Sequence, residues 1–484
     1  MMYYPTIGLE IHIELNTKSK MFCACSNDPN ERHPNVNICP VCMGHPGTLP
    51  VINHEAVKKV IKTGSAFNCQ IPEHSKFDRK NYFYPDLPKG YQISQYDMPL
   101  CKDGFLEIEG KKVRIRRVHL EEDTGRLLHP AGENYSLVDF NRAGIPLMEL
   151  VTEPDIESGK EARKFAEELQ LILRYLGVSD ADMEKGQMRV EVNLSLSKKE
   201  GELGTKVEIK NLNSFRSVER GIDYEIERQT KDLEAGKKII QETRGWSDTK
   251  GETISQREKE EAHDYRYFPE PDLPQLYFTE KEISGIKAEI PELPQSRRER
   301  FAREYEIDKE AIEIFVQNKS LGEYFEKVVS EFEPNLNREK FNSLIKLATN
   351  YITSDLLGLI QKAVIVDLTN DFLITPENFA EFIALINDGK ISSAVAKVVL
   401  KEMFGKGADP SHIIEEKGLT QVSDETEIEK VVKEAIENNP EAVQDYKKGK
   451  QNAFQFLVGQ VMAQTKGKAN PEVSSRILKR LLTE

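Results

Sequence analysis

The segment Ile7-Gly8-Leu9-Glu10-Ile11-His12-Ile13-Glu14-Leu15 alternates without interruption between apolar and other residues. A period of two is the mark of an extended strand. Ile7, Leu9, Ile11, Ile13 and Leu15 then share one face, and Gly8, Glu10, His12 and Glu14 share the other. Glu10 and His12 stand side by side, ~7 Å apart along the strand. One reading is a half-buried antiparallel strand with a solvated face. The other is half of a divalent-metal site of the kind that acts on phosphates. Partners elsewhere in the chain decide between them.

With 484 residues the chain is too long for one core, and two to four domains are expected. Up to about residue 290 it reads mainly as strands and loops. Alternation returns at 105–120, 187–197 and 205–212. One clear helix interrupts it. Ser158 and Glu161 have capping-box spacing, Ala162, Phe165, Ala166, Leu169, Ile172, Leu173 and Leu176 form an apolar face, and Gly177 ends it. The charged stretch 216–262 predicts a long exposed helix plus a loop. Character changes at Ile290-Pro291-Glu292-Leu293-Pro294, and the pattern beyond is helical. Thr375-Pro376-Glu377 is a helix start with Thr as cap and Pro at the first position. A second break, Phe404 to Pro410, precedes a small helical module large enough to fold alone.

The net charge of -14 argues against a protein that coats nucleic acid nonspecifically. A structured RNA held by a local basic patch stays open. From residue 446 onward the cations are Lys447, Lys448, Lys450, Lys466, Lys468, Arg476, Lys479 and Arg480, against Glu472 and Glu484. No apolar run approaches the ~18 residues that span a membrane. Met1-Met2-Tyr3-Tyr4-Pro5 leads straight into the strand without a basic or Arg/Ser-rich leader, so a cytoplasmic location is expected.

Four of six cysteines lie together, as Cys23-Ala-Cys25 and Cys39-Pro-Val-Cys42. Two such knuckles match a tetrahedral Zn²⁺ site with no open position, hence a structural one. Cys69 and Cys101 are isolated and read as small core residues.

Three further segments carry acids in apolar company. In Val118-His119-Leu120-Glu121-Glu122, Glu122 continues the Val118 and Leu120 face. Glu149 is the single acid of Gly144-Ile145-Pro146-Leu147-Met148-Glu149-Leu150-Val151. A buried carboxylate needs a metal, a cation or a proton. Glu191 alternates in Arg189-Val190-Glu191-Val192. Each alone suits a salt-bridged structural acid. Together Glu10, His12, Glu122, Glu149 and Glu191 could converge in one cleft of one sheet, with donors that suit Mg²⁺ or Mn²⁺.

Two loops echo each other: Asp78-Arg79-Lys80-Asn81-Tyr82-Phe83-Tyr84-Pro85-Asp86-Leu87-Pro88 and Asp264-Tyr265-Arg266-Tyr267-Phe268-Pro269-Glu270-Pro271-Asp272-Leu273-Pro274. Cations beside aromatics can grip phosphate while a ring stacks on a base. A rigid Pro-rich connector is the plainer reading. Lys210-Asn211-Leu212-Asn213-Ser214 offers further polar groups. There is no Walker A loop, no G-x-S-x-G elbow and no H-E-x-x-H motif. Nor is there an obvious nucleophile set to release ammonia from glutamine.

In this order, Ile7 to His12, Phe77 to Asp86, His119 to Asp123, Lys210 to Ser214 and Asp264 to Asp272 closely resemble the GatB family. Its members belong to the tRNA-dependent amidotransferase GatCAB. The resemblance covers essentially the whole chain. The related GatE proteins carry a large insertion for which there is no room here. The resemblance implies an α+β fold: a β-rich antiparallel cradle at 1–292, an all-α domain at 293–405, and a small helical tail at 406–484 that meets tRNA. It implies ATP- and Mg²⁺-dependent phosphorylation of the misacylated Glu-tRNA(Gln) or Asp-tRNA(Asn) side chain. Ammonia from the amidase subunit GatA would then displace phosphate, with GatC completing a heterotrimer. It places Glu10, His12, Glu122, Glu149 and Glu191 at metal sites. Lys80, Lys210 and Arg266 become candidates for phosphate or carboxylate contacts, and Lys80, Asn81, Tyr82, Lys210, Asn211 and Asn213 for nucleotide binding. The cysteine site is an optional element of the family. The competing readings are a metal-dependent phosphohydrolase and a noncatalytic zinc-bearing RNA-binding scaffold.

Overall fold

The computed structural model describes residues 3–258, 265–334, 336–363, 372–419, 425–465 and 468–483. Asp264, Lys466 and Glu484 lie outside them. The chain divides into two compact units, Met1–Pro294 and Gln295–Glu484. Among the described residues no helix is long and apolar enough to cross a membrane.

The strands of the first unit are β1 (Tyr4–Glu14), β2 (His74–Ser75), β3 (Asp78–Asn81), β4 (Tyr91–Ser94), β5 (Cys101–Ile108), β6 (Lys111–Glu122), β7 (Arg126–Leu128) and β8 (Leu137–Asp139). They continue with β9 (Pro146–Thr152), β10 (Met188–Ser197), β11 (Val207–Leu212), β12 (Glu242–Ser247), β13 (Glu252–Glu258), β14 (Phe268–Pro269) and β15 (Leu276–Tyr277). Its helices are α1 (His54–Ala66), α2 (Gly159–Leu176), α3 (Phe215–Glu234) and α4 (Glu280–Ala288).

Eight strands make one sheet in the order β13-β12-β11-β10-β1-β9-β6-β5. Its pairs are antiparallel except β11 with β12, whose parallel connection carries α3. The strict alternation of β1 now has its cause. The strand is central, and Ile7, Leu9, Ile11, Ile13 and Leu15 are each at most 1% exposed. They join Val118, Leu120, Met148, Leu150, Val190 and Val192 in the main core, beneath α1, α2 and α3. Burying side chains of this size contributes about 2 kcal/mol each.

α2 starts as its spacing predicts on one side only. Ser158 accepts from the Glu161 N–H at 3.2 Å, but the Glu161 carboxylate accepts from the Glu157 N–H at 3.0 Å instead. Gly177 closes the helix at φ 66°. The 105–120 alternation resolves into the β5–β6 hairpin, turned by Glu109 and Gly110 at φ 48° and 83°. The loop expected after the charged helix is instead the β12–β13 hairpin. Its ends are charged, but Trp246 at 2% exposure anchors it in the core.

The two echoing loops are neighbours. β14 pairs with β3, Phe268 opposite Arg79 and Pro269 opposite Asp78, in a three-stranded sheet with β4. Arg79 grips the Glu270 carboxylate through two bonds of 2.7 and 2.8 Å, so this cation is consumed in holding the loops together.

The second unit is helical. Thr375 caps the helix Pro376–Asn387, accepting from the Asn378 N–H at 3.2 Å. The helix Ser393–Lys406 ends at Gly407, φ 65°. Pro410–Glu416, assigned to the tail by the sequence, packs on Pro376–Asn387 and Ser393–Lys406. A separate core that includes Ile428, Val432, Leu457, Val461, Ile477 and Leu478 joins the helices Glu425–Asn438, Gln451–Gln464 and Pro471–Thr483. The tail cations are less free than a count from residue 446 suggests. Arg476 pairs with Glu425, Arg480 with Glu429 at 2.5 Å, and Lys450 with Asp445 at 2.9 Å.

Candidate active site and cysteine cluster

Register, not sequence proximity, assembles the polar face of the main sheet. Arg189 of β10 lies opposite His12 of β1, His12 opposite Glu149 of β9, and Glu149 opposite His119 of β6. Four strands thus contribute one row of side chains at the ~4.8 Å spacing of a sheet. The next row along holds Glu191, Glu10 and Arg117, and the row on the other side holds Glu14, Leu147 and Glu121.

The contacts are close. His12 Nε2 lies 3.4 Å from Glu149 Oε2, 3.8 Å from Glu121 Oε1 and 4.0 Å from Glu10 Oε1. His119 Nε2 lies 3.3 Å from the same Glu149 oxygen and 3.7 Å from Glu121 Oε2. Two triads, Glu10/His12/Glu149 and His119/Glu121/Glu149, each keep their donor atoms within 4.8 Å and share Glu149. An octahedral cation with bonds of about 2.1 Å sets ligand atoms about 3.0 Å apart when adjacent and about 4.2 Å apart when opposite. The observed spacings fall within that range, and three carboxylates meeting at one point demand positive charge. The donor set therefore fits Mg²⁺ or Mn²⁺. His119 Nδ1 is buried with no hydrogen-bond partner, which leaves Nε2 as the working nitrogen of that ring.

Charge already shapes these groups. Burial and the adjacent Glu149 push Glu10 above the usual carboxylate range. Burial opposes ionisation of Glu149, but His119 and His12 outweigh it and hold the acid well below that range. Burial likewise opposes charge on His12, yet Glu149, Glu121 and Glu10 raise it to about 9. Lys80, which lines the same cavity, is half-buried, and Glu121 and Glu149 overcome its desolvation to keep it above the usual lysine range.

These groups line a cavity of about 470 Å³. Lys80, Tyr82, Tyr265 and Tyr267 border it, with Lys80 Nζ 5.1 Å from the centre of the Tyr265 ring. Arg189 donates to Asp123 at 2.8 Å, and Lys210 to Glu191 at 2.6 Å. The cavity thus combines a floor of carboxylates and imidazoles, charged donors and aromatic rings.

Of the residues expected here, Glu10, His12, Glu149, Glu191, Lys80, Tyr82 and Lys210 all line this cavity. Glu122 does not. It lies on the opposite face of β6, where its carboxylate meets Lys89 Nζ at 2.6 Å and the Ile93 N–H at 3.0 Å. Glu121 takes the place given to it, because a strand sends successive side chains to opposite faces. Arg266 is exposed at φ 46° and is not a lining residue. Asn81 donates to the Tyr265 and Arg266 carbonyls at 3.2 and 2.8 Å, so it holds the aromatic loop. Asn211 and Asn213 line a separate groove with Trp246 and Asp248, and the Asn211 amide donates to the Trp246 carbonyl at 2.8 Å. Sequence reasoning missed His119, Glu121, Arg117, Arg189 and Asp123. Parity could have found the first three, which alternate along β6.

The cysteines do converge. Cys23, Cys25, Cys39 and Cys42 place their Sγ atoms within 4.8 Å of one another, Cys39 to Cys42 at 3.9 Å. A tetrahedron with ~2.3 Å Zn–S bonds has edges of about 3.8 Å, so four thiolates here fit Zn²⁺. A hydrogen bond from Cys23 and the Lys20 ammonium lower the Cys42 thiol to about 4, while burial and Cys39 raise Cys25 to about 11.

Residues 5–284 match the family model described as the GatB/GatE catalytic domain, and residues 323–482 match the one described as a GatB domain. The chain belongs to the GatB/GatE family. Relatives named as the B subunit of aspartyl/glutamyl-tRNA(Asn/Gln) amidotransferase are similar from end to end. The protein of Thermotoga petrophila is 51% identical over 100% of this chain and 99% of its own. That of Caldicellulosiruptor bescii is 49% identical over 99% of each, and that of Persephonella marina 48% over 100% of each. Within the GatB/GatE match fall every residue of the sheet rows and all four clustered cysteines.

Proposed function

We propose that this chain is the kinase and transamidase subunit of an aminoacyl-tRNA amidotransferase. It would act on Glu-tRNA(Gln), Asp-tRNA(Asn) or both, in the cytoplasm, beside an amidase partner of the GatA type and a GatC-type subunit. The row Arg189–His12–Glu149–His119 supports this reading, because it sets carboxylate and imidazole donors that suit a divalent cation beside Lys80 in an aromatic-lined cavity. The names of the full-length relatives support it.

A carboxylate is a poor acyl donor because an oxide would have to leave. The substrate carboxylate oxygen attacks the γ-phosphorus of ATP, ADP departs, and an acyl phosphate results. Ammonia adds at the acyl carbon, one of its protons passes to the departing phosphate, and phosphate leaves with the electron pair of the broken C–O bond. Glu10, His12, Glu149, His119 and Glu121 would hold Mg²⁺, which supplies charge neutralisation on the phosphate oxygens. Lys80 and Arg189 add fixed positive charge to the same space. Tyr82, Tyr265 and Tyr267 offer faces for the adenine or the terminal tRNA base. The tail cations from Lys447 onward would contact tRNA phosphates. The cysteine cluster would hold Zn²⁺ in a structural role.

The test supplies ATP, misacylated tRNA and ammonium chloride to the assembled enzyme. ADP release and amide formation are expected only with misacylated tRNA, and both should vanish in Glu149→Gln and His12→Ala. Full transamidation by those variants would overturn the reading. Cleavage of RNA or phosphoesters without ATP would replace it with a phosphohydrolase.

A further inference from the structure

Among the described residues, Lys20 is the largest fully buried side chain that carries a charge, at 0% exposure. An ammonium in such a place needs an anion. Among the described residues no carboxylate forms an ion pair with it. Its Nζ donates to the Phe140 carbonyl at 3.2 Å and lies 3.9 Å from Cys42 Sγ. Glu122, a nearby acid, is engaged by Lys89 at 2.6 Å. The anion that faces Lys20 is therefore the cysteine cluster. Four thiolates around a divalent cation leave two negative charges in a poorly hydrated spot, and a buried cation beside them answers that charge.

The surroundings are built for this contact. The Lys20 N–H donates to the Cys25 carbonyl at 3.0 Å, which ties the lysine to the first knuckle. Gly144 sits at φ 86°, where an added Cβ would stand 3.4 Å from Cys42 Cβ, 3.5 Å from Lys20 Cδ and 3.9 Å from Glu122 Oε2, so a side chain at this position would crowd the contact. The Phe140 carbonyl belongs to a segment stitched to the loop between the knuckles. Asn35 donates to the Val138 carbonyl at 3.1 Å, and the Phe140 N–H donates back to Asn35 Oδ1 at 2.8 Å. Two residues on, Arg142 donates to the Gly125 carbonyl at 2.7 Å and lines the catalytic cavity.

We propose that Lys20 is the counter-ion of the cysteine metal site and the positioning residue that fastens this site to the segment carrying Arg142. The proposal rests on the cysteines holding Zn²⁺. The experiment is chelator competition for Zn²⁺ in the full-length protein, with Co²⁺ substitution to read thiolate coordination from its charge-transfer absorption. Wild type should take up one ion per chain with a tetrathiolate Co²⁺ spectrum. Lys20→Met should bind Zn²⁺ roughly 10- to 100-fold more weakly. Metal-free Lys20→Met should melt no lower than metal-free wild type, because it no longer buries an ammonium. Lys20→Gln keeps a donor for the Phe140 carbonyl but no charge, and should bind as weakly as Lys20→Met. Wild-type affinity in Lys20→Gln would show that the hydrogen bond alone matters and would overturn the counter-ion role. Wild-type affinity in both variants, or failure of both to fold, would overturn it as well. A wild-type protein that takes up neither metal would sink the cysteine-site reading itself, a result distinct from these.

Discussion

Two clusters of side chains that could ligate a metal lie in the first unit, and they are built in opposite ways. The cysteines come from two short knuckles, Cys23 to Cys25 and Cys39 to Cys42. The acid–imidazole cluster draws Glu10, His12, His119, Glu121 and Glu149 from three strands far apart in the chain. Four thiolates of the first would close on an ion with no donor position to spare. The second lines a cavity of about 470 Å³ and is open to a substrate. A local cluster suits permanent holding; a cluster spread over a rigid sheet suits chemistry, since its donors stay fixed while one side remains open.

The contrast breaks most visibly at Glu149, the acid shared by both triads. Glu149→Gln should lower ammonium-dependent transamidation by about 10³-fold, with Zn²⁺ content unchanged by metal analysis. Equal loss of Zn²⁺ would mean that the clusters are not independent. Lys80→Met comes next, with a loss of about 10²-fold in ADP release on misacylated tRNA. Arg266→Ala, outside the lining, should cost less than about 5-fold in the same assay. Cys42→Ser should abolish Zn²⁺ binding and lower the melting temperature by several degrees, as removal of a metal-coupled fold element does. Its effect on chemistry should be smaller than that of Glu149→Gln. The smallest effect concerns cation binding in the cavity: Glu122→Gln should leave Mn²⁺ affinity within about 3-fold of wild type, while Glu121→Gln weakens it by at least 10-fold. Removing one partner of the buried Lys89–Glu122 pair should instead show as a stability loss on the order of 3 kcal/mol in denaturant melts.

Glu122 shows where sequence reading went astray. The alternation of Val118, Leu120 and Glu122 puts that acid on the core face of β6, and the structure keeps it there, paired with Lys89. Applied consistently, the same parity would have selected His119 and Glu121. The echoing loops show the reverse case. Their likeness was visible, but only pairing of β14 with β3 explains it, and that pairing assigns Arg79 to Glu270 while Lys80 faces the cavity. Lys20 gave no signal at all, since burial of a single lysine has no periodic signature.

By itself the sequence determined the central strand, the α2 boundaries, the switch from strands to helices near residue 290, the cysteine knuckles and the family. These are local patterns, set by side-chain period, caps and short spacings. Only the tertiary structure decided which acids meet. The row Arg189–His12–Glu149–His119 depends on the register of three strand pairs, and a slip of one residue in any of them would send its members to the other face. Strand order and register follow from packing of the whole core, and no short stretch of sequence encodes them.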